Sequence, residues 1–319
     1  MPDGCLVRTE KENVLIQCGD CSLQLLPQMG GKIGSIRVNG RELLHAPLAP
    51  ITTRTSNMPF DASDASGWDE CLPSVAACRI ATSSGSTDIP DHGDLWRVTW
   101  ETRESDDTSV TLRGTCFSLP LTLERTIALT QHGQGWQIKL NYKLTNTGRN
   151  AAPWSWAAHP LFAVDSGDTL ELPATITSLR VEGSGGNRLG KSDDTIAWPI
   201  AKITGGSTTD LRVAQAPQSG VGDKLFAGPL TANENWCTLH RPSAGVRIRF
   251  TFDTALTPYL GLWLCYGGWP NKPGPKQNCI APEPTTAPVD SLAQSGPWSR
   301  TLQPGGSFAW PMIVDLGII

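Results

Sequence analysis

The sequence lacks the features of a membrane protein and of a secreted, disulfide-rich protein. No apolar run approaches the length of a membrane-spanning helix, and the first residues lack the basic stretch and apolar core of a signal peptide. No Asn-x-Ser/Thr sequon occurs, and the nine cysteines are an odd number spread over 319 residues. These absences predict a cytoplasmic protein in which most cysteines are reduced and structural.

The sequence also lacks a charge bias. Lys and Arg total 26 against 30 Asp and Glu, the net charge is −4, and the basic residues are scattered along the chain. A nucleic-acid-binding surface needs basic residues that cluster on one face. We therefore expect no nucleic-acid partner and no membrane partner, and we expect a monomer or a homodimer.

Long helices have little room, because 32 glycines and 25 prolines interrupt the chain at short intervals. Residues 136–144 and 246–252 alternate apolar and polar side chains, as strands with one buried face do. Asn39-Gly40 between two short apolar segments favours a tight hairpin. Further strands are predicted at residues 95–102, 110–117, 121–129 and 308–314.

Many short strands without βαβ alternation or internal repeats predict an all-β protein. The expected architecture is a large antiparallel β-sandwich that forms a single domain over residues 1–319. Residues 50–66 and 183–194 are rich in Ser, Asp, Gly and Thr and are predicted to be long surface loops.

Two short motifs suggest ligand sites, but their context does not support them. Residues 185–192 (GGNRLGKS) match the phosphate-loop pattern, yet two aspartates and soon a proline follow where a helix should begin. Cys18 and Cys21 have the spacing of half a zinc site, yet no second pair of that spacing occurs. A solvated loop and a pair of turn cysteines are the preferred interpretations.

Three residues are candidates for acid-base chemistry. His92 lies in residues 90–96 (PDHGDLW), where neighbouring acids favour the imidazolium. His159 ends an apolar segment at a proline. Glu283 stands between two prolines, which hold the backbone extended and exclude a helix. A carboxylate on such a stiff segment is suited to preorganised catalysis.

Five segments carry a resemblance to a known family. In chain order they are residues 67–73 (GWDECLP), 90–96 (PDHGDLW), 146–162 (NTGRNAAPWSWAAHPLF), 260–263 (LGLW) and 282–284 (PEP). Together they resemble the aldose 1-epimerase, or galactose mutarotase-like, superfamily. The resemblance implies a supersandwich of antiparallel strands with an open sugar cleft on one face.

The resemblance also implies roles for individual residues. Anomer exchange needs a base at the anomeric hydroxyl and an acid at the ring oxygen, and Glu and His supply both near neutral pH. Glu283 would be the base, His159 the acid, and His92 a hydrogen-bonding partner near the ring oxygen. The residues expected to contact the sugar are Arg54, Trp68, Trp96, Asp223 and Trp263. The reaction needs no metal and no organic cofactor.

Two alternatives to a mutarotase of free aldoses remain at this point. A hexose-6-phosphate mutarotase would need a basic phosphate pocket. Arg247 and Arg249 lie on one face of a predicted strand, but a solvated face is the preferred explanation for them. A non-catalytic sugar-binding protein could use the same cleft.

Overall fold

The computed structural model describes residues 4–10, 12–83 and 85–319. Within these ranges the chain forms 27 β-strands and nine short 3₁₀-helices, and the strands pair in antiparallel ladders. The described part contains no helix that is both long and apolar enough to cross a membrane. The all-β prediction is confirmed. Residues 1–3, where no signal peptide is predicted, lie outside the described ranges, and the single-domain assignment stays a prediction.

The larger sheet has 13 strands, and it provides most of the site described below. Its main path runs in the spatial order β1 (Cys5–Glu10), β2 (Asn13–Cys18), β3 (Cys21–Leu26), β4 (Lys32–Val38), β6 (Trp68–Cys71), β14 (Ala157–Pro160), β25 (Asn278–Thr285), β24 (Tyr259–Tyr266), β21 (Val221–Ala227), β17 (Ser178–Ser184), β18 (Thr195–Ala197). Off this path, β5 (Arg41–Glu42) pairs with β4, and β15 (Phe162–Ala163) pairs with β25.

The second large sheet has eight strands, in the order β16 (Thr169–Glu171), β22 (Trp236–Arg241), β23 (Val246–Phe252), β27 (Ser307–Ile318), β12 (Gly135–Asn146), β11 (Leu121–His132), β10 (Ser109–Thr115), β9 (Glu101–Ser105). Three two-stranded sheets complete the strands: β7 (Cys78–Thr82) with β8 (Gly85–Ile89), β13 (Ala152–Trp154) with β26 (Arg300–Leu302), β19 (Ile200–Lys202) with β20 (Thr208–Asp210). The 3₁₀-helices are Pro27–Met29, Phe60–Ala62, Leu95–Arg97, Gly185–Asn187, Pro217–Ser219, Ala232–Glu234, Pro242–Ala244, Leu292–Gln294 and Gly296–Trp298.

The core lies between the two large sheets. Alternate residues of their strands are fully buried, as the pleat of a sheet with one covered face requires. Trp68 of the larger sheet packs against Phe250 of the smaller one, with ring centroids 5.7 Å apart. A buried ion pair also crosses the core, because Arg125 Nη1 of β11 donates to Glu70 Oε1 of β6 at 2.7 Å. Tyr142 and Trp156 donate to the same carboxylate at 3.0 and 2.8 Å.

Most predicted strands are confirmed. Residues 246–252 coincide with β23, residues 136–144 lie within β12, and Asn39 and Gly40 turn the β4–β5 hairpin at φ of 51° and 75°. The strand predicted at 95–102 is wrong in its first half, because Leu95–Arg97 is a 3₁₀-helix. All three of its residues are buried, and consecutive burial suits a tight turn better than an alternating strand.

The cysteines follow the expectation, with one disulfide added. Cys18 and Cys21 flank the turn between β2 and β3, as predicted, and Cys18 also forms a disulfide with Cys5 of the adjacent strand β1. The other seven cysteines are free thiols, and six of them are buried.

Candidate active site

The candidate site lies on the face of the larger sheet that is turned away from the core. Side chains of a strand alternate between the two faces. In β6, Trp68 and Glu70 therefore enter the core, and Asp69 takes the opposite face. The antiparallel registers place His159 opposite Asp69, and Lys224 opposite Trp263, on this same outer face.

A pocket of about 160 Å³ opens on this face. Its walls are formed by Phe60, Val75, Ala76, Asp91, His92, His159, Lys224, Trp263, Trp269, Gln277, Glu283 and Asp290. The sequence-predicted residues Glu283, His159, His92 and Trp263 are thus brought together from four separate segments of the chain.

Glu283 lies between the other two charged or titratable side chains that it contacts in this pocket, His159 and Lys224. It is fully buried on β25, and its Oε1 lies 3.9 Å from His159 Nε2 of β14. Lys224 of β21 donates to the other carboxylate oxygen, Oε2. Among the described residues, Glu283 Oε1 has no hydrogen-bond partner. One oxygen of the carboxylate is therefore anchored, and the other faces an imidazole.

Burial shifts the proton affinities of this pair in opposite directions. Burial raises the pKa of Glu283, and the Lys224 ammonium offsets only part of this effect. Burial, together with electrostatic interaction with His92, Lys224 and Lys32, lowers the pKa of His159 well below its usual value. The expectation of a pair charged in its ordinary way at neutral pH is therefore corrected, because both groups lie in a largely water-excluded wall.

His92 borders the pocket from the loop that follows β8. Its backbone has a positive φ of 60°, and the neighbouring Gly93 has one of 68°. The imidazole stacks on Phe60 with centroids 3.7 Å apart and meets the edge of His159 at 5.0 Å. His92 Nδ1 lies 3.0 Å from Asp91 Oδ2. Packing and the carboxylate together fix the ring at the pocket wall.

Aromatic side chains supply the apolar part of the wall. Trp263 Nε1 donates to Gln277 Oε1 at 2.9 Å, which holds the indole in place. Trp269 and Phe60 pack together with centroids 6.0 Å apart. Such surfaces suit the C–H faces of a pyranose ring. No group of three or more His, Cys, Asp or Glu side chains in the described ranges is arranged to hold a metal ion.

Comparison with known proteins identifies the family of the chain. The family model for aldose 1-epimerase matches residues 81–315. The chain belongs to the aldose 1-epimerase family. In a search of curated proteins, no protein matches the chain.

Solved structures share the fold of this aldose 1-epimerase family member at low sequence identity. The Slr1438 protein of Synechocystis sp. PCC 6803 is 16% identical with a TM-score of 0.68, and the match covers 100% of this chain and 98% of that chain. A galactose mutarotase related enzyme from Lactobacillus acidophilus is 12% identical with a TM-score of 0.65, covering 96% and 97%. A galactose mutarotase-like protein from Lactobacillus casei ATCC 334 is 17% identical with a TM-score of 0.61, covering 96% and 100%.

Two of the residues predicted from the family resemblance face the wrong side of the sheet for sugar contact. Trp68 is fully buried against Phe250 in the core. Asp223 precedes Lys224 on β21 and therefore takes the opposite face, where Ser184 donates to it at 2.6 Å and Arg188 forms an ion pair with it. Both predictions are corrected for the same reason, the alternation of side chains along a strand.

Two further predicted contacts lie behind the pocket wall. Trp96 is fully buried and packs edge-on against Phe60 at 5.3 Å. Arg54 is buried and forms an ion pair with Asp64, which also lies 3.1 Å from Lys32. Neither side chain lines the pocket. Direct contact of either side chain with a sugar stays a prediction.

Several pocket residues were not singled out from the sequence. They are Phe60, Lys224, Trp269, Gln277 and Asp290. A signal existed for Lys224, because it follows Asp223 in a strand where only one of two neighbours can face a given side. Trp269, Gln277 and Asp290 lie in loop segments and Phe60 begins a 3₁₀-helix of three residues, and the periodicity of strands gives no information about such positions.

Proposed function

We propose that this family member is an aldose 1-epimerase that interconverts the α and β anomers of a free aldose. Glu283 is the base and His159 is the acid. The observation that carries the proposal is the approach of these two side chains, Oε1 to Nε2 at 3.9 Å, in the wall of one pocket. His92 stands beside them and donates a hydrogen bond toward the ring oxygen.

Ring opening needs two proton transfers, one from the sugar to the protein and one from the protein to the sugar. Ionised Glu283 removes the proton from the anomeric hydroxyl O1, while protonated His159 delivers one to the ring oxygen O5. The C1–O5 bond breaks, and C1 and O1 become an aldehyde. After rotation about C1–C2, neutral His159 takes the proton back from O5, O5 attacks the other face of C1, and Glu283 returns its proton to O1. Both side chains recover their starting states.

The opposed pKa shifts suit this exchange. They bring two states of the pair closer in free energy: ionised Glu283 with protonated His159, and protonated Glu283 with neutral His159. Ring opening converts the first state into the second, and ring closure restores the first. When the proton affinities of Glu283 and His159 are similar, neither state is much lower in free energy than the other, and the proton transfers are easily reversed.

The charges of the pocket favour an uncharged sugar over a phosphorylated one. Its wall contains the three carboxylates of Asp91, Glu283 and Asp290, and Lys224 is its one lysine, with no arginine among the described lining residues. Lys224 is already paired with both Glu283 and Asp290. Arg247 and Arg249 lie on β23 of the other large sheet, away from this pocket. A phosphate would therefore meet net negative charge.

The test is a screen of anomer exchange by NMR over a panel of free aldoses and their 6-phosphates, comparing the protein with Glu283→Gln. We expect acceleration with at least one free sugar, slower exchange with its 6-phosphate, and a loss of about 10²- to 10⁴-fold in the variant. Glu101→Gln, on an exposed strand, is the matched control. Wild-type rates in Glu283→Gln would remove Glu283 from the mechanism. Saturable sugar binding without any acceleration would instead indicate a binding protein.

A further inference from the structure

The contact between Lys224 and Glu283 is made across an intervening strand. In the pairing of β21 with β24, Phe226 stands opposite Gly261, and Lys224 stands opposite Trp263. On the other side of β24, Gly261 stands opposite Glu283. The lysine and the glutamate are therefore diagonal neighbours with a glycine between them. The missing side chain at Gly261 leaves the space in which the two charged groups meet.

Lys224 contacts only one of the two carboxylate oxygens of Glu283. Lys224 bonds only Oε2 of the carboxylate, while its ammonium also lies 3.5 Å from Asp290 Oδ1. Glu283 Oε1 stays without a hydrogen-bond partner among the described residues, although it is buried and turned toward His159. A buried carboxylate oxygen without a partner is costly. Its place in the pocket wall marks it as the atom that receives a proton from a bound molecule.

We propose that Lys224 is a positioning residue for the base: it anchors one oxygen of Glu283, keeps the carboxylate ionised, and leaves the other oxygen free for the anomeric hydroxyl. This inference rests on the proposed epimerase function. Asp290 has the opposite effect, since its charge repels the Glu283 carboxylate and partly neutralises the lysine.

The electrostatic environment of Glu283 gives the sign of each effect. Titratable groups face it from β6, the His92 loop, β14, β21, β25 and the loop after β25, and they are Cys71, His92, His159, Lys224, Cys279 and Asp290. Burial raises the pKa of Glu283, Lys224 lowers it, and Asp290 raises it. Burial alone would lower the pKa of Lys224, but Asp290 and Glu283 raise it above its usual value, so the lysine is a cation.

Variants of Lys224 and of Asp290 should shift the pH dependence of kcat/KM in opposite directions. The acid limb of kcat/KM reports the ionisation of the base. In Lys224→Met, we expect this limb to move to higher pH by about one to three units, the range that a nearby opposite charge produces, with kcat reduced more than KM is raised. In Asp290→Asn, we expect the limb to move to lower pH. Lys224→Arg should keep the limb close to the wild-type position, because it keeps the charge.

The control is Lys143→Met on β12, an exposed lysine on the other sheet, which should leave the limb in place. A direct measurement accompanies the kinetics: the ¹³C shift of the Glu283 carboxyl, assigned by its absence in Glu283→Gln, is titrated in each protein. An unchanged Glu283 titration in folded Lys224→Met would overturn the inference. If Lys224→Met does not fold, an Asp290→Asn titration that stays in place or moves to higher pH would overturn it equally.

The carboxyl titration separates the two proposals. If the wild-type protein accelerates no anomer exchange, the proposed function fails, and the shifts of the Glu283 titration still decide whether Lys224 controls its ionisation. If the wild-type protein is active and the acid limb is the same in Lys224→Met, the positioning role fails and the epimerase function stands.

Discussion

Gly261 lies directly opposite Glu283 in the ladder between β24 and β25, and a Cβ atom at position 261 would come within 3.3 Å of the glutamate Cβ and 3.4 Å of its Oε2. The ring of Phe226 would be even closer, at 3.1 Å. The carboxylate thus occupies space that any other residue at 261 would fill.

Gly261→Ala tests this relationship. We expect the variant to fold, since 261 has an ordinary extended backbone within β24, but to lose kcat because the methyl group displaces the Glu283 carboxylate from His159. These contacts require shifts of only a few tenths of an ångström, so we expect a smaller loss than the roughly 10²-fold that a misplacement of about 1 Å causes. Anomer exchange by NMR measures the loss. Gly183→Ala on β17, where an added Cβ meets no atom within 4 Å, should keep wild-type activity. Equal activity of both variants would contradict the steric explanation.

His159→Gln removes the acid while keeping a side chain of similar length. We expect kcat to fall by about 10²- to 10⁴-fold, because no other group delivers a proton to the ring oxygen from that side. Polarimetry with a fresh anomer measures the rate. His132→Gln, at the exposed end of β11, serves as the control. If His159→Gln exchanged anomers as fast as the control, His92 would take over as the candidate acid.

Arg125→Met tests the ion pair that crosses the core. Without the guanidinium, Glu70 keeps a buried charge with only Tyr142 and Trp156 as partners. We expect the free energy of unfolding to fall by about 3–5 kcal/mol, measured by urea denaturation. Adding Glu70→Gln should recover part of the loss. Arg103→Met on exposed β9 is the control, and a double variant less stable than the sum of the single losses predicts would contradict the pairing.

Asp64 gives a prediction for stability at acid pH. Burial alone would raise its pKa, but Lys32 and Arg54 lower it from the usual 3.8 to about 2. A pKa lower in the folded state stabilises the fold above the unfolded pKa, and this contribution is lost as pH falls from about 4 to about 2. It amounts to about 2 kcal/mol. The difference in unfolding free energy between wild type and Asp64→Asn should therefore shrink over that range. Asp20→Asn, in an exposed turn, should show no such trend.

The alternation of apolar and polar residues in the sequence is sufficient to predict many of the strands. β23 and β12 could be predicted because each has one buried and one open face, so the hydrophobic period is visible. The strands of the larger sheet near the site are harder to recognise. All four residues of β6 and of β14 are buried, because one face meets the core and the other is covered by the loops around the pocket. Such strands lose the alternating signal.

The candidate site could be predicted only in part. Glu283, His159 and His92 could be named because their flanking residues resemble family motifs, while the face that each side chain takes is a property of the register. For this reason the motifs point to Asp223 rather than Lys224, and to Trp68 as a sugar contact. Phe60 and Trp269 lie outside the strands and reach the pocket through contacts between distant segments, for which a single sequence contains no spacing rule.

The strands β6 and β21 each place two adjacent charged residues on opposite faces: Asp69 and Glu70 in one, Asp223 and Lys224 in the other. Deleting or inserting one residue within either strand would exchange the two members. Asp69, which is paired with Lys32, would then take the place of Glu70 beside Arg125, or Asp223 would take the place of the cation beside Glu283. Length changes in this lineage should therefore collect in the loops around the pocket, where substrate preference can diverge, and should be excluded from these two short strands.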